Sequence, residues 1–174
     1  IPLDGSAFVT RLGPPLTEEF ARYGVFGEAA DALVARYREL YAEIVIPSTV
    51  AMPGAVDAVR SVTDRGGSVL VVSAKFAPHV RSHLRALDIE VSAVVGELWS
   101  TGKAQALVEH GAEVYVGDHV GDIAGARAAD ALAVGVASGP MSETELAQAG
   151  ADVVLDDLTQ FAGWLDSYLL ATVH

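Results

Sequence analysis

From residue 68 to the C-terminus, short apolar runs alternate with stretches of helical polarity, and this alternation constrains the fold more than any other feature. The runs are SVLVVS (68–73), VSAVVG (91–96), EVYVGD (113–118), ALAVGVA (131–137) and ADVVLDD (151–157). They are continuous rather than two-periodic, as strands covered on both faces require. Between them the pattern predicts helices from Pro78 to about Leu87, over 103–110, from about Gly121 to Ala129, over 142–150 with Gly150 as its stop, and from about Leu158 to Leu170. Pro78 suits the first turn of its helix, where a backbone N–H has no intrahelical partner anyway. Strands separated by single helices close as a parallel sheet with helices on both faces, an α/β architecture.

Residues 1–48 carry no strand-like run of comparable strength. TEEFARYG (17–24) and EAADALVARYRELYAEIV (28–45) have helical patterns, and Glu18 and Glu19 after Thr17 complement the positive end of a helix dipole. The expectation is a small helical lobe over 1–48 and an α/β core over 49–174. Pro47 and Pro53-Gly54 mark the return to that core, whose first helix covers 55–66 and ends at Gly66-Gly67.

With 174 residues, 51% of them hydrophobic, the chain has material for one ordinary core, or a core and a small lobe. No apolar run approaches the ~18–20 residues of a membrane-spanning helix, and no secretory leader is recognisable. The sequence has no cysteine, which removes disulfides and thiolate metal sites. These features fit a cytoplasmic protein with no membrane partner. A net charge of −12 argues against a nucleic-acid surface. A small phosphorylated ligand stays compatible, because a divalent cation and one lysine reverse the field locally.

The chemistry-bearing residues gather where parallel strands end, which is where ligands bind in such sheets. In VYVGDHVGDIAGARAA, Asp118 closes a strand and Asp122 follows at the start of a helix. Two carboxylates in one strand-to-helix turn can hold a hard cation, or they can simply cap the helix. Ser73 ends SVLVVS, where a hydroxyl and nearby backbone N–H groups suit phosphoryl oxygens; a plain turn serine is the alternative. Lys103 opens the next helix, where a cation works against the helix dipole, so a bound phosphate would account for it; a solvated surface lysine is the alternative. Neither Ser73 nor Lys103 is expected in the core.

In order, the chain reads strand–Ser73, then Lys103, then strand–Gly117-Asp118-x-x-x-Asp122. This order and spacing resemble the haloacid dehalogenase (HAD) superfamily, most closely its phosphoglycolate-phosphatase-like branch. RLGPPLTEEFARYG is similar to the helical cap, MPGAVDAVRSVTDRGGSVLVVSAK to the return to the core, and GVASGPMSETELAQAGADVVLDDLTQF to the branch's ending. The resemblance implies a HAD-like Rossmannoid core with a small, partial helical cap. It implies a magnesium-dependent phosphatase of a small phosphorylated metabolite, working through an aspartyl-phosphate. Ser73 and Ala74 would bind phosphate, Lys103 would offset charge, and Asp118 would bind Mg2+ with Asp122 in support. Arg11, in the cap, stands where such proteins often select substrate. A phosphomutase or an inactive binding protein on the same scaffold is the alternative.

The opening IPLDGS matches the tail of the family's nucleophile motif, Asp-x-Asp-Gly-Thr/Ser, but Pro2 occupies the nucleophile position. No apolar strand precedes it, so Asp4-Gly5-Ser6 reads as a turn at the edge of the cap. The nucleophile and the first, central strand are expected upstream, in a longer chain, and the 174 residues alone are expected to be inactive. The core would then lack the strand between those ending at Ser73 and Asp118. Other polar residues read as less specific: His79 and His83 as a solvated helix face, His119 as a loop residue beside Asp118, Lys75 as a surface or phosphate-facing lysine, and Trp99 as packing.

Overall fold

The computed structural model describes residues 14–172. Two helices come first, α1 (Leu16–Ala21) and α2 (Gly27–Ile44), followed by a 3-10 turn at Ile46–Ser48 that carries Pro47. The alternating part then runs α3 (Ala55–Thr63), β1 (Leu70–Val72), α4 (Ala77–Ala86), β2 (Ala93–Val95), α5 (Ala104–Glu109), β3 (Val114–Gly117), α6 (Val120–Ala128), β4 (Leu132–Val136), α7 (Glu143–Gln148), β5 (Val153–Leu155) and α8 (Phe161–Thr172). Every expected strand and helix in this part is present. The strands are shorter than the apolar runs, because the run ends continue as loop beyond the ladder.

All strand pairings are parallel. β1 pairs with β2, placing Val72 beside Val95, and β3, β4 and β5 form a second ladder, with Gly117 beside Gly135 and Val136 beside Leu155. Among the described residues β1 and β3 do not pair, so the strands form a two-stranded and a three-stranded sheet.

Strand alternation sends successive side chains to opposite faces and so divides the core. Tyr115 of β3 and Ala133 of β4 face one cluster, with Leu107 of α5, Ile123 and Ala126 of α6, and Leu146 of α7. Their neighbours Val114, Val116 and Val134 face the other, with Ala58 of α3 and Phe161 and Leu165 of α8. Helices therefore cover both faces, and the strands need apolar residues at every position.

One glycine is fixed by a close approach. Gly54, at φ +79°, precedes α3, and a Cβ there would overlap the Leu158–Thr159 backbone before α8.

Candidate functional site

The C-terminal ends of β1 and β3 bring together four of the residues singled out in the sequence. Ser73 follows β1, and its backbone N–H extends the ladder to Val95 O at 3.0 Å. Its Oγ accepts from Lys75 N at 3.1 Å, closing the turn after the strand. Ala74 lies half-buried inside that turn.

Lys103 corrects one expectation: it is only 5% exposed and belongs to the core. It ends a 3-10 turn, Ser100–Lys103, and is the N-cap of α5, so its expected place at a helix start holds. The loop that delivers it holds Glu97 at φ +62° and Ser100 at φ +50°, a left-handed backbone costly to non-glycine residues. Its ammonium forms a buried ion pair with Asp122 Oδ1, itself 8% exposed in the residue as a whole, and donates to Tyr115 Oη at 3.1 Å. The Tyr115 hydroxyl in turn donates to the Val72 carbonyl at 2.8 Å. One network thus ties the loop before α5, the start of α6 and both strand ends. Burial first, and then the Asp122 charge, hold the Tyr115 phenol far above its ordinary pKa, so it stays a neutral donor.

Asp122 also caps its own helix, so the capping alternative holds for it alongside the ion pair. Its Oδ2 accepts from His119 N at 3.2 Å, while His119 Nδ1 accepts from Gly121 N at 3.0 Å. His119 is therefore the N-cap of α6 and not a free loop residue. Trp99 packs on its ring, with centroids 5.0 Å apart. Gly117 lets this arrangement close, since a Cβ there would overlap the Asp122 side chain.

Asp118 lies against the loop after β4, where Gly139 leaves no room for a Cβ beside its carboxylate. Burial is the main cause raising its pKa, and the neighbouring Asp122 charge adds to it. A hard divalent cation would relieve both penalties, and carboxylate oxygens are the donors it prefers. The described residues contain no group of three or more His, Asp or Glu side chains placed to hold a metal. Asp118, with Asp122 behind it, fits magnesium as part of a coordination shell.

Four further expectations concern residues other than these. Arg11 and Asp4 fall outside the described residues. Lys75 turns away from Ser73, its ammonium reaching the Tyr41 hydroxyl on α2. His79 is not on a solvated face: it is 6% exposed, stacked on Tyr41 and edge-on to Phe76. Sequence reasoning missed Tyr115. The available signal was an aromatic with a polar tip inside the buried run EVYVGD, which obliges its hydroxyl to find partners.

A family model for haloacid dehalogenase-like hydrolases matches residues 7–127. The chain belongs to that family. Among curated proteins none matches. Solved structures share the fold at low identity. A predicted phosphatase from Clostridium acetobutylicum has a TM-score of 0.78 at 22% identity, over 95% of this chain and 83% of that one. A hydrolase from Pseudomonas syringae has a TM-score of 0.77 at 22% identity, over 96% and 84%. A predicted phosphoglycolate phosphatase from Haemophilus somnus has a TM-score of 0.68 at 20% identity, over 81% and 68%. Among the described residues no helix is long and apolar enough to cross a membrane.

Proposed function

We propose that this HAD-family chain is the greater part of a magnesium-dependent phosphatase acting on a small phosphorylated metabolite, with residues 1–48 as a partial cap over a core at 49–174. The observation that carries the reading is the buried Lys103–Asp122 pair beside Asp118, at the ends of β1 and β3. A buried ammonium held by an ion pair and a phenol is a preorganised counter-charge for a phosphoryl group. The names of two similar structures, each called a predicted phosphatase, support the reaction class.

In this reading the Ser73 hydroxyl and the backbone of the Ser73-Ala74 turn hold phosphoryl oxygens, and Lys103 offsets their charge. Magnesium, held by Asp118 with Asp122 in support, would supply further charge neutralisation at the same group. The nucleophile is assigned to an aspartate on an upstream strand lying between β1 and β3. The separation of those strands supports the assignment, as does the Val72 carbonyl, which takes a side-chain partner, Tyr115, on that side. The aspartate's carboxylate oxygen would attack phosphorus as the ester P–O bond breaks, the alcohol leaving with a proton from a general acid also assigned upstream, and water would then cleave the aspartyl-phosphate to free the aspartate and inorganic phosphate. Arg11 is assigned to substrate selection from the cap.

The test is turnover of an aryl phosphate by the chain extended upstream through an Asp-x-Asp sequence. Activity is expected with magnesium, lost in Asp118→Ala and weakened in Asp122→Ala. Unchanged turnover in Asp118→Ala refutes the assignment.

A further inference from the structure

Between α2 and α4 lies a polar cluster outside this site. Tyr41 stacks on His79 with centroids 4.7 Å apart and meets His83 edge-on at 5.6 Å. The Lys75 ammonium bonds the Tyr41 hydroxyl, the same hydroxyl lies 2.9 Å from His83 Nε2, and Thr49 Oγ1 lies 2.5 Å from His83 Nδ1. Two stretches distant in sequence thus meet: α2 with the return to the core (Tyr41, Thr49), and the turn after β1 with α4 (Lys75, His79, His83).

Elementary chemistry sets the direction of the first bond, and the tautomer of His83 sets the other two. An ammonium has only donors, so the Tyr41 oxygen accepts from Lys75. In the tautomer with Nε2 unprotonated, the phenol proton takes His83 Nε2 as its acceptor. A neutral imidazole with Nε2 accepting carries its proton on Nδ1, which donates to Thr49 Oγ1. Thr49 itself donates toward the Val45 carbonyl, 3.5 Å away. In that tautomer the relay runs one way, from Lys75 through Tyr41 and His83 to Thr49.

We propose that Tyr41 and His83 are positioning residues, holding the helical segment before the sheet and the Ser73 turn in one arrangement through a relay that requires neutral His83. Lys75 joins the two parts, because its own N–H is bound to Ser73 Oγ while its ammonium is bound to α2. The proposal rests on the phosphate-site reading only for the purpose of the held turn.

The charged and titratable groups facing His83 are Lys75 from the turn after β1, Tyr41 from α2, and His79 from α4 itself, while Arg38 of α2 acts on His79. Arg38 is paired with Glu97 of the loop after β2 and lies over Phe76. The Ile46–Ser48 turn and β2, also packed on α4, bring no titratable side chain. Burial, then Lys75, then His79 lower the His83 pKa. A lowered histidine pKa means that the unfolded chain binds more protons through the window below the ordinary value of 6.5. The relay's contribution is therefore full above that value and lost as pH falls through the window. Protonated His83 offers Tyr41 no acceptor and sets a second cation near Lys75.

Long-range proton–nitrogen NMR of the histidine-labelled chain reads the tautomer. At pH 7.5 His83 is expected protonated at Nδ1 only; the Nε2–H form or an imidazolium overturns the proposal. Hydrogen exchange of α2, corrected for intrinsic rates, is expected to accelerate several-fold between pH 7.5 and 5.5. Tyr41→Phe, which keeps the ring, is expected to show the fast exchange at both pH values, and Thr49→Val a reduced pH step. A full wild-type step in a folded Tyr41→Phe protein overturns the proposal; if that variant fails to fold, a full step in Thr49→Val does so. In the upstream-extended phosphatase, Tyr41→Phe and Lys75→Met are expected to raise KM for a phosphate ester more than they lower kcat, non-additively. Absence of turnover in the unmutated protein strikes the phosphatase reading and leaves the exchange result to stand.

Discussion

Replacing Lys103 by Met keeps the apolar stem and removes only the ammonium, so it isolates the buried ion pair. Asp122 would remain 8% exposed without its cation, retaining the His119 N–H and a weak 3.5 Å contact from the Tyr115 hydroxyl. Breaking a buried pair from one side costs about 3–5 kcal/mol, because the remaining charge stays desolvated. For a chain of this size each kcal/mol lowers Tm by about 2–4 °C, so a fall of roughly 6–20 °C is expected. Urea unfolding followed by circular dichroism measures the free energy directly. Lys103→Met/Asp122→Asn removes the orphaned charge and is expected to recover most of the loss, to within about 2 kcal/mol of the parent. A single-variant loss below about 1 kcal/mol, or a double variant as unstable as the sum of both singles, would refute the reasoning. Either result would mean that water reaches Asp122 despite its burial.

Asp118 gives a pH-dependent counterpart. Its carboxyl pKa is raised in the fold, so ionisation opposes folding, and stability is regained as pH falls from the folded value down to the ordinary 3.8. Asp118→Asn is expected to raise Tm at pH 7.5, with the gain shrinking in acid and disappearing once the wild-type carboxyl is protonated. Magnesium is expected to raise Tm of the parent and leave the variant unmoved; equal magnesium shifts in both proteins would remove Asp118 from the metal site. Gly54→Ala must place a Cβ into the Leu158–Thr159 backbone at positive φ, and is expected to cost at least ~2 kcal/mol. Gly66→Ala shares the φ of +79° but meets open space, so about 1 kcal/mol is expected. Equal urea midpoints for these two variants would contradict the packing of α3 on the turn before α8.

By itself the sequence determined the strand–helix order after residue 68, because continuous Val/Ala/Leu runs leave room only for strands covered on both faces. It also placed Ser73, Lys103, Asp118 and Asp122 at strand ends, since each follows an apolar run by position alone. Tertiary structure decided what those side chains touch. Lys103 reads as a solvated cation at a helix start, yet the 3-10 turn beginning at Ser100 swings it inward onto Asp122. Tyr115 looks like one more core aromatic until the separation of β1 from β3 gives its hydroxyl both Val72 O and Lys103. His79 and His83 share one helical face, as their spacing predicts, and that face is covered by Tyr41 from a helix some forty residues earlier. Periodicity reports which face a residue lies on. Which partner covers that face depends on contacts between segments far apart in the chain, and local sequence carries no record of them.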